Sequence, residues 1–140
     1  MNDKYFVDTN VLIYAYDTQN KAKHQIANER LRALWQSRQG ILSTQVLQEF
    51  HVNAVRKLKP AFSPTKVRQI LQRYLVWPIE IVTPNTVFFA SEIHERNQLS
   101  FWDSLIVAAA HQGGASVILT EDLSHGQIIE GIRIENPFLN

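Results

Sequence analysis

Four apolar runs in this chain are short and too continuous to alternate between a buried and a solvent-facing side. They lie at residues 5–7, 41–43, 79–82 and 116–120. Strands that are apolar on both faces belong to parallel sheets covered by helices on each side. Because helical patterns separate the runs, the sequence predicts an α/β protein, a three-layer α/β/α sandwich around a short, mostly parallel sheet.

Helices are predicted between these strands, and several begin with a recognisable N-cap sequence. Ser63-Pro64 and Thr83-Pro84 each combine a capping hydroxyl with a proline at the first helical position. A strongly apolar helix follows Ser100 and ends at Gly113-Gly114. The predicted helices are residues 21–38, 45–57, the segment after 63, residues 84–97 and the segment after 100, and a last strand is predicted at 132–134.

The composition predicts one soluble domain covering residues 1–140. The chain is 45% hydrophobic and 19% charged, and its length is sufficient for a hydrophobic core. It contains no cysteine, which excludes disulfides and thiolate metal sites and is typical of a reducing compartment. No leader sequence is recognisable, and no apolar run approaches the roughly 20 residues of a membrane helix. We therefore expect a cytoplasmic protein without a membrane segment.

Basic residues are concentrated in the middle of the chain. Residues 20–79 carry a net charge of +9, whereas residues 1–19 carry −2 and residues 80–140 carry −6. Clustered Lys and Arg side chains favour a polyanionic partner because they displace counterions from phosphates. Ordinary solvated helix faces would produce a similar count, so charge alone leaves both interpretations open.

Four acidic residues are predicted to meet at one edge of the sheet. Asp8 and Asp122 each follow a predicted strand, and the carboxyl ends of parallel strands lie beside one crevice. Glu49 lies in the first turns of the helix that follows the second strand, which starts at the same edge. Asp103 lies in the first turn of a helix that follows another helix, so tertiary structure has to bring it there.

Each of these acids also has a purely structural interpretation. Asp8 is a suitable helix cap, and Asp122 is a suitable first residue of a turn. Asp103 lies three residues after Ser100, the spacing of a capping box. Glu49 is compatible with a solvated helix face. If the acids do not meet, all four structural interpretations must be correct at the same time. The metal-site interpretation is therefore favoured.

Clustered carboxylates need a cation between them if they are to remain ionised at neutral pH. One or two Mg²⁺ or Mn²⁺ ions are the predicted cofactors, because these ions prefer oxygen ligands. Zinc is disfavoured, since the chain lacks cysteine and its five histidines show no paired ligand spacing. Mg²⁺ commonly shares its coordination with a substrate phosphate, so the sequence favours a phosphate-containing substrate.

These residues resemble the four acidic positions of PIN domains. The matching segments are DTN at Asp8, the second-helix glutamate Glu49, FWDSLIVAAA around Asp103, and ILTED ending at Asp122. The resemblance spans nearly the whole chain and is closest to VapC-type toxins, the small ribonucleases of bacterial toxin–antitoxin pairs. It implies a metal-dependent endoribonuclease that leaves 5′-phosphate and 3′-hydroxyl ends, with the metal held by Asp8 and Asp103 and the site completed by Glu49 and Asp122.

The same resemblance implies supporting residues and partners. Asn10 and Thr120 match the supporting polar positions of the family. The implied partners are an RNA substrate, a small antitoxin protein and a second copy of the chain in a homodimer. Trp102 neighbours Asp103, where packing is the favoured role and base stacking the alternative.

Two other classes of function are compatible with parts of the sequence. A PIN-like domain that binds RNA or protein without turnover would retain the same fold. A phosphoaspartate-type phosphatase or receiver domain also places aspartates after parallel strands. The phosphatase pattern requires an aspartate where this chain has Asn10, and a receiver requires a lysine that SVILTEDLSHG lacks.

Overall fold

The computed structural model describes residues 3–139 and contains a six-stranded sheet flanked by helices. The strands are β1 (Tyr5–Val7), β2 (Gly40–Ser43), β3 (Ile79–Glu80), β4 (Val117–Leu119), β5 (Ile128–Ile129) and β6 (Ile132–Glu135). The helices are α1 (Thr9–Tyr14), α2 (Lys21–Ser37), α3 (Thr44–Arg56), α4 (Pro64–Arg73), α5 (Pro84–Arg96) and α6 (Phe101–Gln112), and a 3₁₀ turn spans Tyr74–Val76. The predicted α/β fold is confirmed.

The strand order is β3-β2-β1-β4-β6-β5. β5 pairs antiparallel with β6, and the other neighbouring strands pair in parallel. The central strands are buried on both faces, and Phe6, Leu42 and Ile118 are fully inaccessible to solvent. This burial explains why their sequences do not alternate between apolar and polar residues.

The helices form two packed groups. α1 packs against α2 and α3, and α3 packs against α4, while α5 packs along α6. α6 also contacts β2 and β3. In the described range 3–139, none of these helices is both long and apolar enough to cross a bilayer.

Three local features differ from the sequence prediction. β3 ends at Glu80 instead of residue 82. α1 was not predicted, because its six residues are too few to show a helical period. β5 was not predicted either, since it is two residues long and joins β6 through Glu130 and Gly131, which both have positive φ. That pair matches the short-hairpin geometry usually formed by Asn-Gly or Asp-Gly.

The order in which the chain adds strands to the sheet reverses between β1 and β4, which makes this place a topological switch point. β2 and β3 extend the sheet on one side of β1, and β4 and β6 extend it on the other. Val7 pairs with Leu119, so the residues that follow β1 and β4 emerge at the same level. A crevice at such a switch point is the usual ligand site of an open parallel sheet.

Gly40 makes room for Trp77, and its substitution tests this packing. A Cβ atom at position 40 would lie 2.4 Å from Cζ3 of the buried Trp77 ring. We expect Gly40→Ala to lower the free energy of unfolding by about 2 kcal/mol, because overpacking forces the ring or backbone to move. Urea denaturation measures this loss, with the exposed Gln25→Ala as a control that changes stability by less than about 0.5 kcal/mol. Equal stability of Gly40→Ala and the wild type would contradict the packing.

Candidate functional site

Asp8 lies at the switch point and joins β1, α1 and the end of β4. It is only 5% exposed and is the N-cap of α1. Its Oδ1 accepts a hydrogen bond from the Thr9 backbone N–H (2.7 Å), and its Oδ2 accepts one from the Thr120 hydroxyl (2.8 Å). The predicted capping role is therefore present, and it directs the carboxylate towards β4 as well.

Glu49 is held from two sides by side chains that donate hydrogen bonds. The Thr9 hydroxyl donates to its Oε1 at 2.7 Å, and Nε2 of Gln45 donates to its Oε2 at 3.2 Å. Gln45 is 4% exposed and also donates to the backbone carbonyl of Trp102 at 3.3 Å. Since Trp102 immediately precedes Asp103, Gln45 connects the glutamate on α3 with the beginning of α6.

Asn10 and Thr120 connect Asp122 to the rest of the site. Nδ2 of Asn10 lies 3.1 Å from Oδ2 of Asp122 and 3.2 Å from Oγ1 of Thr120. The Thr120 hydroxyl oxygen also accepts the Asp122 N–H at 3.0 Å, and Oδ1 of Asn10 accepts the Glu121 N–H at 3.3 Å. The two predicted supporting residues thus fix the loop that follows β4.

Asp103 is half-buried in the first turn of α6. Its backbone N–H donates to the Ser100 hydroxyl at 3.0 Å, which is one half of the predicted capping box. Burial raises the pKa of its carboxyl, a hydrogen bond with Ser100 opposes this, and the charges of Asp122 and Glu49 raise it further. Asp103 therefore lies close enough to Asp122 and Glu49 for their charges to raise its pKa. The neighbouring Trp102 is 64% exposed and packs only edge-on against Phe101, with ring centroids 5.4 Å apart, so it is not a core residue.

An open cleft of about 720 Å³ lies outside this edge of the sheet. Its lining includes three of the four predicted acids, Asp8, Glu49 and Asp122, whereas Asp103 is not part of the lining. Two further carboxylates, Asp17 and Glu121, and one amine, Lys57, complete the charged groups that line it. We call this cavity the acidic cleft.

The pKa of the Asp8 carboxyl is raised, and burial is the main cause. It raises the pKa of the carboxyl to about 7, hydrogen bonds from Thr120 and Thr9 oppose the rise, and the charges of Asp122 and Glu49 add to it. Without a cation, Asp8 is therefore close to half-protonated at neutral pH. Elsewhere in the lining, Glu121 forms an ion pair with Lys23, whose Nζ lies 2.7 Å from Oε2 of Glu121.

The donor set of the cleft fits a hard divalent cation in chemistry. Carboxylate, hydroxyl and amide oxygens are the ligands that Mg²⁺ and Mn²⁺ prefer. Within residues 3–139, however, no three His, Cys, Asp or Glu side chains are close enough together, as they stand, to hold a metal ion. Each carboxylate instead accepts hydrogen bonds from its own polar partners, which are Thr9, Gln45, Asn10 and Thr120. The acids are close enough for their charges to interact, but they do not form a complete set of metal ligands.

The sequence matches the PIN domain family over residues 5–128, which is most of the chain. The chain belongs to the PIN domain family. The resemblance inferred from the sequence motifs is therefore confirmed at the level of the family. No curated protein sequence matches this PIN domain.

Several solved structures share the fold of this PIN domain. The sarcin–ricin loop cleaving toxin VapC20 of Mycobacterium tuberculosis is 22% identical with a TM-score of 0.66, over 93% of this chain and 99% of that chain. A toxin–antitoxin complex from Klebsiella pneumoniae is 19% identical with a TM-score of 0.71, and DNA-bound VapBC from Salmonella typhimurium is 19% identical with a TM-score of 0.67. Both matches cover 96% of this chain and 98% of the other. At these identities the likeness shows a shared fold.

Sequence reasoning missed two residues that organise the site. Thr9 was passed over although it adjoins Asp8, and Gln45 although it precedes Glu49 by four residues. That spacing puts two side chains on the same face of a helix and was a usable signal for Gln45. The contact between Gln45 and the Trp102 carbonyl carries no sequence signal, because the two residues are 57 positions apart.

Proposed function

We propose that this PIN domain is a Mg²⁺- or Mn²⁺-dependent endoribonuclease and the toxin of a toxin–antitoxin pair. The observation that carries the proposal is that Asp8, Glu49 and Asp122 line one cleft at the switch point. Asp103 lies close enough for the charges of Asp122 and Glu49 to raise its pKa. Family membership and the toxins among the structures of similar fold support the same conclusion.

In this proposal the four acids hold one or two divalent cations and the polar residues hold the acids. Asp8 and Asp103 would be the main ligands, with Glu49 and Asp122 completing the site. A bound Mg²⁺ or Mn²⁺ would supply charge neutralisation at the scissile phosphate and a more acidic water. Hydrolysis would leave a 5′-phosphate and a 3′-hydroxyl.

The residues around the acids prepare them for this task. The Thr9 hydroxyl fixes one oxygen of Glu49, and the Thr120 hydroxyl fixes one oxygen of Asp8, so neither carboxylate has to be ordered when a cation binds. Asn10 does the same for Asp122. Preorganisation of this kind lowers the entropic cost of binding.

The charges outside the cleft suit a polyanionic substrate and a protein inhibitor. Lys57 lines the mostly acidic cleft and would contact a phosphate of the RNA. The net charge of +9 over residues 20–79 supplies further attraction for the RNA backbone. An antitoxin would inhibit the enzyme by placing a basic side chain among the acids, and a homodimer is the proposed assembly.

This function is tested by stripping the protein of metal, adding back Mg²⁺ or Mn²⁺, and measuring the cleavage of end-labelled RNA. The expected result is internal cleavage in Mg²⁺ or Mn²⁺, none in EDTA, and products that a 5′-phosphate-dependent exonuclease degrades. RNA binding without cleavage at any metal concentration would contradict the proposal and favour a binding domain. Formation of a hydroxylamine-sensitive phosphoaspartate from acetyl phosphate would contradict it in favour of the phosphatase or receiver class.

Thr9 provides a matched pair of variants for the supporting role. Thr9→Val keeps the shape of the buried side chain but removes the hydroxyl that holds Glu49, whereas Thr9→Ser retains the hydroxyl. We expect Thr9→Val to lower kcat/KM about 10-fold and to raise the Mg²⁺ concentration for half-maximal rate, because partners of metal ligands typically contribute 10–100-fold. Thr9→Ser should stay close to the wild type. Equal Mg²⁺ dependence of the two variants would contradict this role.

A further inference from the structure

A second concave surface lies beyond the end of α1 and is built from aromatic side chains. Three hollows of about 510, 290 and 490 Å³ share Trp35 in their linings. Tyr16 and Tyr74 line the first two, and Trp77 lines the third. We call this surface the aromatic groove and define it by Tyr16, Trp35, Tyr74 and Trp77.

The aromatic rings pack against one another, and Trp35 remains partly exposed to solvent. The ring centroid of Trp35 lies 5.2 Å from that of Tyr74 and 5.3 Å from that of Trp77, and the last two are 5.0 Å apart in an edge-on arrangement. Tyr74 and Trp77 are buried, but Trp35 is 36% exposed and the adjoining Val76 is 74% exposed. Mutual packing fixes the rings, so a flat ligand can stack on Trp35 at little entropic cost.

The charge of the aromatic groove is opposite to that of the acidic cleft. Its charged lining residues are Arg32, Arg38 and Arg73, and the lining contains no carboxylate. Within the described chain, none of the three arginines forms a salt bridge. Stacking aromatics beside unpaired guanidinium groups are the recurring components of sites for single-stranded nucleic acid.

The groove and the acidic cleft meet at the end of α1. Tyr14 and Asp17 line the cleft, and the two residues between them, Ala15 and Tyr16, line the groove. Ala15 and Tyr16 therefore separate the two cavities, and the aromatic groove adjoins the acidic cleft along this segment. A basic, aromatic surface at this position suits the nucleotides next to the cleaved bond.

We propose that the aromatic groove binds unpaired bases of the RNA substrate, with Trp35 as the stacking surface and Arg32, Arg38 and Arg73 as phosphate contacts. This inference rests on the proposed function only in calling the RNA a substrate. Binding of single-stranded RNA to the groove requires neither metal nor turnover, so it is measurable even if the protein does not cleave RNA.

Fluorescence anisotropy with a labelled 12-nucleotide single-stranded RNA in EDTA tests the proposal, since this length fits sites of about 4–16 nucleotides. We expect Trp35→Ala to raise Kd about 10-fold and Trp35→Phe to stay within about two-fold, because a stacked base contributes roughly 1–3 kcal/mol. A duplex of the same sequence should bind with the same affinity to wild type and Trp35→Ala.

A pair of arginine variants tests the phosphate contacts without changing the packed rings. Arg73→Gln should weaken binding and reduce the slope of log Kd against log salt concentration by about one. Arg68→Gln is the matched control, because Arg68 is an exposed residue of α4 that lies about 140° around the helix from Arg73. It should leave both the affinity and the slope unchanged.

Three results would overturn the proposal. Trp35→Ala and Arg73→Gln could bind the single strand as tightly as the wild type. They could instead convert a dimer to a monomer in light scattering with unchanged RNA affinity, which would assign the groove to a contact between copies of the chain. Equal losses in Arg68→Gln and Arg73→Gln would indicate a diffuse charge effect with no local site.

Discussion

Asp8→Asn is expected to lower the rate of RNA cleavage at least 100-fold while leaving RNA affinity within about two-fold. The partners of metal ligands already contribute 10–100-fold, so loss of a ligand itself should cost more. The substitution keeps the size of the side chain and the acceptor for the Thr9 N–H, but it removes the charge that a cation requires. Single-turnover cleavage in Mg²⁺ and anisotropy in EDTA measure the two quantities.

Asp17→Asn is the matched control for this experiment. Asp17 lines the same cleft, and its Oδ1 accepts the Gln19 N–H at 3.0 Å, a hydrogen bond that asparagine can also accept. It should cleave RNA at nearly the wild-type rate. Wild-type cleavage by Asp8→Asn, or an equal loss in Asp17→Asn, would contradict the assignment of Asp8 as a metal ligand.

The same Asp8→Asn substitution is expected to stabilise the metal-free protein at alkaline pH. The pKa of Asp8 is about 7 in the folded protein and near 3.8 when exposed, so the folded state retains a proton that the unfolded chain has lost. The free energy of unfolding therefore falls as pH rises from 4 to 7, by up to about 4 kcal/mol, and stays low above pH 7.

Asparagine removes this dependence at the cost of a hydrogen bond. Its amide group would face the Thr120 hydroxyl oxygen, which already accepts from Asn10 and from the Asp122 N–H, and a disrupted bond costs about 1 kcal/mol. We expect a net gain of about 3 kcal/mol at pH 8 and no gain at pH 4. Urea denaturation in EDTA at both pH values measures it. A wild-type stability that rises between pH 4 and pH 7, relative to Asp8→Asn, would contradict the raised pKa.

Mg²⁺ should reduce the stability advantage of Asp8→Asn at pH 8. A cation that binds only the folded wild type stabilises it by mass action, whereas Asp8→Asn should gain little. Burial of the Asp8 charge thus lowers the free energy of unfolding, and binding of the cation offsets that loss. Such a relation between stability and function is common at functional sites.

The sheet and the position of the cleft could be predicted because they follow from burial. Residues such as Phe6 and Ile118 are apolar on strands too short to alternate, which identifies parallel strands, and parallel strands place Asp8 and Asp122 at one edge. The helix starts at Ser63 and Thr83 were predictable because capping depends on adjacent residues alone.

The approach of α6 to the site could not be predicted in the same way. Asp103 follows a helix, and a hydrogen bond from Gln45 to a backbone carbonyl links the two segments. A carbonyl is common to all residues, so no pattern of side chains marks it. The aromatic groove was also invisible, because Trp35 and Trp77 come together from α2 and the chain before β3, and their separate positions resemble ordinary core residues.

The joint binding of a divalent cation by Asp8, Glu49, Asp103 and Asp122 is tested most directly by calorimetric titration of Mn²⁺ into the metal-free protein. The expected result is one or two sites in the wild type and in Asp17→Asn. Asp8→Asn, Glu49→Gln, Asp103→Asn and Asp122→Asn should each bind Mn²⁺ at least about 10-fold more weakly. Wild-type Mn²⁺ affinity in Asp8→Asn or Asp103→Asn would show that these carboxylates do not share a metal site.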